Sequence, residues 1–108
     1  MNLETFANKV WITAVKHGFW ENDGAPLVSK KAEKIALMHS ELSEALEAIR
    51  KPTLDKHCPE FTSEEVEFAD CLIRILDYCY HYHLRLLEAA EAKAKFNETR
   101  PYKHGKTI

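Results

Sequence analysis

"SEEVEFADCLIRILDYCYHYHLRLLEAAEAKAKFNETR", residues 63–100, contains neither Gly nor Pro, and its reading decides the fold. A helix turns about 100° per residue. On that wheel Val66, Phe68, Ala69, Cys71, Leu72, Ile73, Ile75, Leu76, Tyr78, Cys79 and Tyr80 cover most of the circumference. One narrow stripe is left, holding Glu67, Asp70, Arg74, Asp77 and His81 at spacings of three and four. A helix apolar nearly all round is buried, and an ionisable seam along it needs partners. The stretch reads either as one long helix or as two with a bend near "CYHYHLRL", residues 79–86.

Thr62, followed three positions later by Glu65, matches a capping box that opens this helix. Pro101 biases Arg100 toward extended backbone, so residues 101–108 leave the helix as a basic tail. Upstream, residues 3–17 form a first amphipathic helix, with Asn2 as N-cap and Gly18 as the left-handed residue at its end. "GFWENDGAPLVS", residues 18–29, is a turn-rich loop ending at Ser29, the expected N-cap of a second helix that runs to about Arg50. Pro52 stops it, and "KPTLDKHCPEFT", residues 51–62, is a second loop. No repeat, strand alternation or low-complexity run interrupts this order. The chain reads as one all-α domain over residues 1–108, a small bundle of about four helices.

With 15 Lys and Arg against 17 Asp and Glu, the net charge is −2, which gives no bulk electrostatic reason to bind a nucleic-acid polymer or a membrane surface. Glu4 and Lys9 interrupt the apolar residues of the amino terminus, so a secretory signal is not expected, and no later run approaches a membrane span. The three cysteines, Cys58, Cys71 and Cys79, are odd in number and lack a C-x-x-C spacing, which suits a reducing, cytoplasmic setting.

Along the second helix Ile35, Met38, Leu42, Ala45, Leu46 and Ile49 fall in one arc, the expected core stripe. Glu33 and Glu47 fall on the solvent side, whereas Glu41 and Glu44 lie in a flank shared with Leu37 and Ala48. A lone E-x-x-E on a helix is ordinarily half of a surface salt-bridge set, here with Arg74 and Lys34 as counter-ions. Two acidic pairs on apolar flanks, Glu41/Glu44 and Glu67/Asp70, point further. If the two helices pack side by side, four carboxylates converge, at a cost of about several kcal/mol per uncompensated ion unless protons, cations or metal intervene. Carboxylate-only ligation suits Mg²⁺ or Mn²⁺ rather than zinc. Arg74 is read as a charge partner to Asp70 or Asp77.

"ELSE" on one helix and "EFAD" on the next resemble the paired E-x-x-E and E-x-x-D signature of the all-α, MazG-like nucleoside triphosphate pyrophosphohydrolases. "HSELSEALEAIR", "EEVEFADCLIRILD" and "KFNETRPYKHGK" extend the resemblance from about Gly18 to Lys106, toward the short single-domain members of bacteria and phages. The resemblance implies a bundle of about four helices assembling as a homodimer or dimer of dimers. It implies Mg²⁺-dependent hydrolysis of a nucleoside triphosphate to monophosphate and pyrophosphate, a nucleotide-pool house-cleaning activity. Carried over by motif, Glu41, Glu44, Glu67 and Asp70 become the metal ligands. Glu41, with Glu44 next in line, becomes the group that orients or deprotonates the attacking water. The sequence departs from the family where relatives often carry a Gly-containing break and this chain has "YCYHYHLRL".

Lys93 and Asn97 are one helical turn apart with Arg100 just beyond, and the tail adds Lys103, His104 and Lys106. From composition this is a solvated basic terminus; the match to the family tail makes Lys93, Asn97, Arg100, Lys103 and His104 expected phosphate-binding groups. Trp20, beside Phe19, is expected either to stack on a nucleobase or to plug the end of the bundle. Cys79 and His83 share a helical face, too few ligands for zinc. No Glu is followed three residues later by His, which sets aside a di-iron bundle. The alternatives left open are a dUTP-type or phosphoribosyl-ATP-type substrate on the same fold, and a noncatalytic helical interaction module.

Overall fold

The computed structural model describes residues 1–107; Ile108 and the side chain of His104 are outside the described residues, and the expectation for His104 falls with them. Four helices follow in order: α1 (Leu3–Lys16), α2 (Leu27–Arg50), α3 (Ser63–His81) and α4 (Leu86–Glu98). A short 3-10 turn, Tyr102–Gly105, closes the tail. The described residues contain no strand; one isolated bridge joins Leu54 to Thr62.

Asn2 caps α1 through its side-chain oxygen, which accepts from the Thr5 amide at 2.8 Å, and Gly18 at φ +82° turns the chain out of it, both as the sequence predicts. The start of α2 corrects the expectation at Ser29, which lies inside the first turn, because the helix begins at Leu27 after Pro26. The reason lies in the preceding loop. Asn22 and Asp23 each accept a hydrogen bond from the amide two residues on, and Lys30 reaches back to Asp23 at 3.3 Å. Those turns deliver Pro26 with φ already at −58°, so no side-chain cap is needed to start the helix.

Thr62 and Glu65 make the full capping box at the start of α3. At its other end the open question of one helix or two is resolved: α3 stops at His81. The Leu84 amide donates to the Cys79 carbonyl at 2.9 Å and the His83 amide to Tyr80 at 3.3 Å, a Schellman closure with His83 at φ 56° in the left-handed position. His83 thus takes the place that a glycine fills at lower cost.

α3 is the central element, with α2 packed along one side and α1 along another. Ala7, Ala45, Ala48, Cys71, Leu76 and Tyr78 form the buried core. The expected core stripe of α2 is corrected in part. Met38 and Ala45 do turn inward, but Ile35, Leu42, Leu46 and Ile49 remain 42–64% exposed. α2 is rolled so that Leu37, Met38, Glu41, Ala45 and Ala48 face α3. Small alanines allow close approach of the two helices, and the branched side chains are left on an uncovered flank. Phe68 and Leu72 on α3 are likewise exposed at 52% and 44%. α4 contains no buried residue. Among the described residues no helix is long and apolar enough to cross a membrane.

Candidate metal centre and adjoining cavity

The roll of α2 brings Glu41 against the seam of α3. There, carboxylate oxygens of Glu41, Glu67 and Asp70 all lie within 4.8 Å of one another. Arg74, one turn beyond Asp70, donates from Nε to Glu41 Oε1 at 3.0 Å, so its direct partner is Glu41 rather than Asp70 or Asp77. The Glu41 side chain is only 13% exposed. Burial raises the carboxyl of Glu67 above its ordinary range, and the charges of Glu41, Asp70 and Glu44 push it further the same way. Asp70 is raised by burial and by Glu41, against a smaller opposing pull from Arg74. Like charges gathered at such spacing favour protonation or cation uptake.

Of the four expected ligands, three converge and Glu44 does not join the triad. Its side chain is exposed, on the other side of Glu67, in a shallow opening that also holds Asp55 and Lys51. Asp55 was not anticipated. Its carboxylate accepts the amides of His57 and Cys58 at 2.9 and 2.8 Å, and its charge adds to the raising of Asp70. No motif signalled it, because it reaches the site only through a loop closed by the Leu54–Thr62 bridge and the Asp55 amide donating to Phe61 at 2.9 Å.

A cavity of about 280 Å³ opens beside the triad, between α1, α2, α3 and the α1–α2 loop. Glu41, Asp70 and Arg74 form one side; Val10 and Ala14 of α1 and Ile73 of α3 form apolar wall, with the polar Thr13 and His17 beside them; Trp20 and Asp77 also line it. Trp20 is held there from several directions. Its Nε1 donates to Asp77 Oδ1 at 2.8 Å, and the His81 ring stacks on it at 3.6 Å and 6°. The stacked imidazole leaves only the opposite face for the Lys34 ammonium, 4.5 Å from the ring centroid. Lys34 itself donates to the Phe19 carbonyl at 2.8 Å, and burial lowers its pKa. His81 Nδ1 accepts from Trp11 Nε1 at 3.1 Å, which requires the neutral tautomer with its proton on Nε2. Burial likewise lowers the pKa of His81. Trp20 is therefore a fixed wall of the cavity with both faces covered. Three members of the α3 seam, Arg74, Asp77 and His81, have found partners, whereas Glu67 and Asp70 face other acids.

The remaining expected substrate groups lie apart from this centre in the single chain. Lys93 and Arg100 pack on Phe96, at 4.7 and 5.8 Å from its ring centroid. Asn97 Oδ1 is buried with no hydrogen-bond partner, alone in this among the described residues. Lys103 is exposed in the tail. None of the four lines the cavity. No protein-family model, curated protein or solved structure matches this chain.

The donor set fits a hard divalent cation: three carboxylates from two rigid helices, oxygen only, with further acids at Glu44 and Asp55 on its border. Nothing in it offers the nitrogen or sulfur that a zinc site prefers.

Proposed function

We propose that the chain is a Mg²⁺-dependent nucleotide pyrophosphohydrolase, with Mn²⁺ as substitute, that converts a (d)NTP to (d)NMP and pyrophosphate. The observation that carries this reading is the convergence of Glu41, Glu67 and Asp70 at the mouth of a cavity. The E-x-x-E and E-x-x-D resemblance supports it independently. In this reading Glu67 and Asp70 hold the cation together with Glu41, and Glu44 adds negative charge from the opening it shares with Glu67. A bound Mg²⁺ supplies charge neutralisation for the phosphates and a lowered pKa for water. Glu41, whose side chain is only 13% exposed, orients the attacking water and accepts its proton, while Arg74 fixes the Glu41 carboxylate through Oε1.

Lys93, Asn97, Arg100 and Lys103 bind phosphate oxygens in this reading, and they reach a site through self-association, since in one chain they do not line the cavity. The flank of Ile35, Leu42, Leu46 and Ile49 supports assembly of two or four copies, because one subunit leaves that apolar surface uncovered. The same flank favours the second reading, a noncatalytic helical interaction module. Pyrophosphate release from a panel of common and base-modified dNTPs, with and without Mg²⁺, separates the two. Hydrolysis that appears only with the ion is expected; no release from any nucleotide at high enzyme concentration would sink the hydrolase.

A further inference from the structure

Asp77 is a half-buried acid that the proposed hydrolysis does not use. It sits two turns along α3 from Asp70 and faces the same cavity. One oxygen, Oδ1, accepts from Trp20. Among the described residues no other hydrogen bond reaches the carboxylate and no ion pair covers it; Lys34, His81 and Arg74 act on it only through space. Burial raises its pKa. Positioning Trp20 needs one neutral acceptor, which an amide would supply without the cost of desolvating a charge. The second oxygen is a surplus acceptor on a residue that lines the cavity, where Val10, Ala14 and Ile73 supply apolar wall.

The size of that space limits what enters it. At about 280 Å³ it lies just below the usual range of small-molecule pockets, about 300–1,000 Å³, so it holds a ring and not a whole nucleotide. With phosphates at the triad on one side, the ring is the base. A carboxylate only accepts hydrogen bonds, so it welcomes an amino group and turns its lone pairs against an oxo group at the same place. Lys34 and Arg74, cations on the border of the cavity, suit the ring nitrogen acceptor that adjoins the amino group in cytosine and adenine.

We propose that Asp77 is the specificity-determining residue of this site, its Oδ2 accepting a hydrogen bond from the exocyclic amino group of a cytosine or adenine base seated against Val10, Ala14 and Ile73. This rests on the nucleotide-hydrolase reading, and the experiment separates the failure of one from the failure of the other. kcat/KM is measured for dCTP against dUTP and for dATP against dITP, pairs that exchange an amino group beside a ring-nitrogen acceptor for an oxo group beside a ring N–H. Binding of dCMP and dUMP is followed in parallel by tryptophan fluorescence, since Trp20 is bonded to Asp77 and responds without turnover. The wild type favours the amino member of at least one pair by about tenfold or more, because a site built to bond a group rejects its analogue. In Asp77→Asn the Trp20 indole N–H still requires an acceptor, so the amide oxygen turns to Trp20 and the amide nitrogen donates into the cavity. The amino-to-oxo ratio then falls to near one or inverts, with the helical circular dichroism unchanged. Turnover without an amino preference in the wild type, or a preference that survives Asp77→Asn, overturns base recognition by Asp77 and leaves the hydrolase standing. Amino-selective binding without turnover supports recognition and overturns hydrolysis. If Asp77→Asn fails to fold, wild-type titrations of dCMP against dUMP and of dAMP against dIMP decide: equal affinities within both pairs refute the proposal.

Discussion

Glu67→Gln is expected to stabilise the protein in the absence of divalent ions and to destroy its response to them. Two unit charges at 4.8 Å, the span of the triad, repel by about 0.9 kcal/mol at the dielectric of water and about 3.5 at an effective value of 20. Glu67 is only half-buried, and Arg74 already neutralises much of Glu41, so the lower end applies and about 1 kcal/mol is the expected gain at pH 7. For a domain of this size that raises Tm by about 4–6 °C. The sign follows from the raised folded-state pKa: the native chain holds the Glu67 proton more tightly than the unfolded chain, so its stability falls as pH rises through that window. Below the ordinary value of 4.5 both states are protonated and the difference between variant and wild type closes. Saturating Mg²⁺ reverses the order, since a ligand at a hundred times its Kd adds about 2.7 kcal/mol to the protein that binds it. The assay is thermal and urea unfolding in chelator and in Mg²⁺, at pH 4 and pH 7. A variant less stable than wild type in chelator, or a wild type whose Tm ignores Mg²⁺ and Mn²⁺ with nucleotide present, would refute the reasoning.

His83→Gly relieves a non-glycine residue at φ 56° and should raise stability by about 1 kcal/mol in urea unfolding; a loss would mean that the His83 side chain makes a compensating contact. Because burial lowers the pKa of His81, the unfolded chain binds its proton more readily. Its contribution is therefore complete above the ordinary value of 6.5 and fades as pH falls below it, which Trp11 and Trp20 emission should follow; His81→Gln should flatten that profile. Lys93→Ala and Arg100→Ala should each lower turnover by about tenfold with unfolding unchanged, as removal of a charge-assisted phosphate contact does; normal kinetics in both would remove the tail from the site. If the tail serves a neighbouring copy, mixing inactive Glu41→Gln with weakened Lys93→Ala subunits should regain activity above the sum of the two, and strict additivity would assign site and tail to one chain.

What the sequence made legible was whatever depends on neighbours along the chain. The Thr62–Glu65 box, the Asn2 cap and the seam from Glu67 to His81 all follow from spacing within one helix, and each is found. The start of α2 is not legible from Ser29, because Pro26 and the Asn22 and Asp23 turns replace the side-chain cap that a serine there would provide. The roll of α2 was harder. Periodicity gives the apolar arc but not which part of it meets a neighbour, and the close fit of Ala45 and Ala48 displaced Leu42, Leu46 and Ile49. That same roll set Glu41 inward and Glu44 outward, a distinction of about 60° that no count of residues could settle. Asp77 was visible in the seam yet without a role, because its partner Trp20 is far away in sequence.

α4 has a further consequence for measurement. A helix of 13 residues, none of them buried as a whole, gains little from tertiary packing, and in water such a segment sits near the length at which helix and coil balance. Its backbone order then depends on the surface it rests against. In serial dilution monitored at 222 nm, a partial loss of ellipticity well before the main unfolding transition would reveal that this surface belongs to another molecule, making the segment a built-in gauge of how many chains are together.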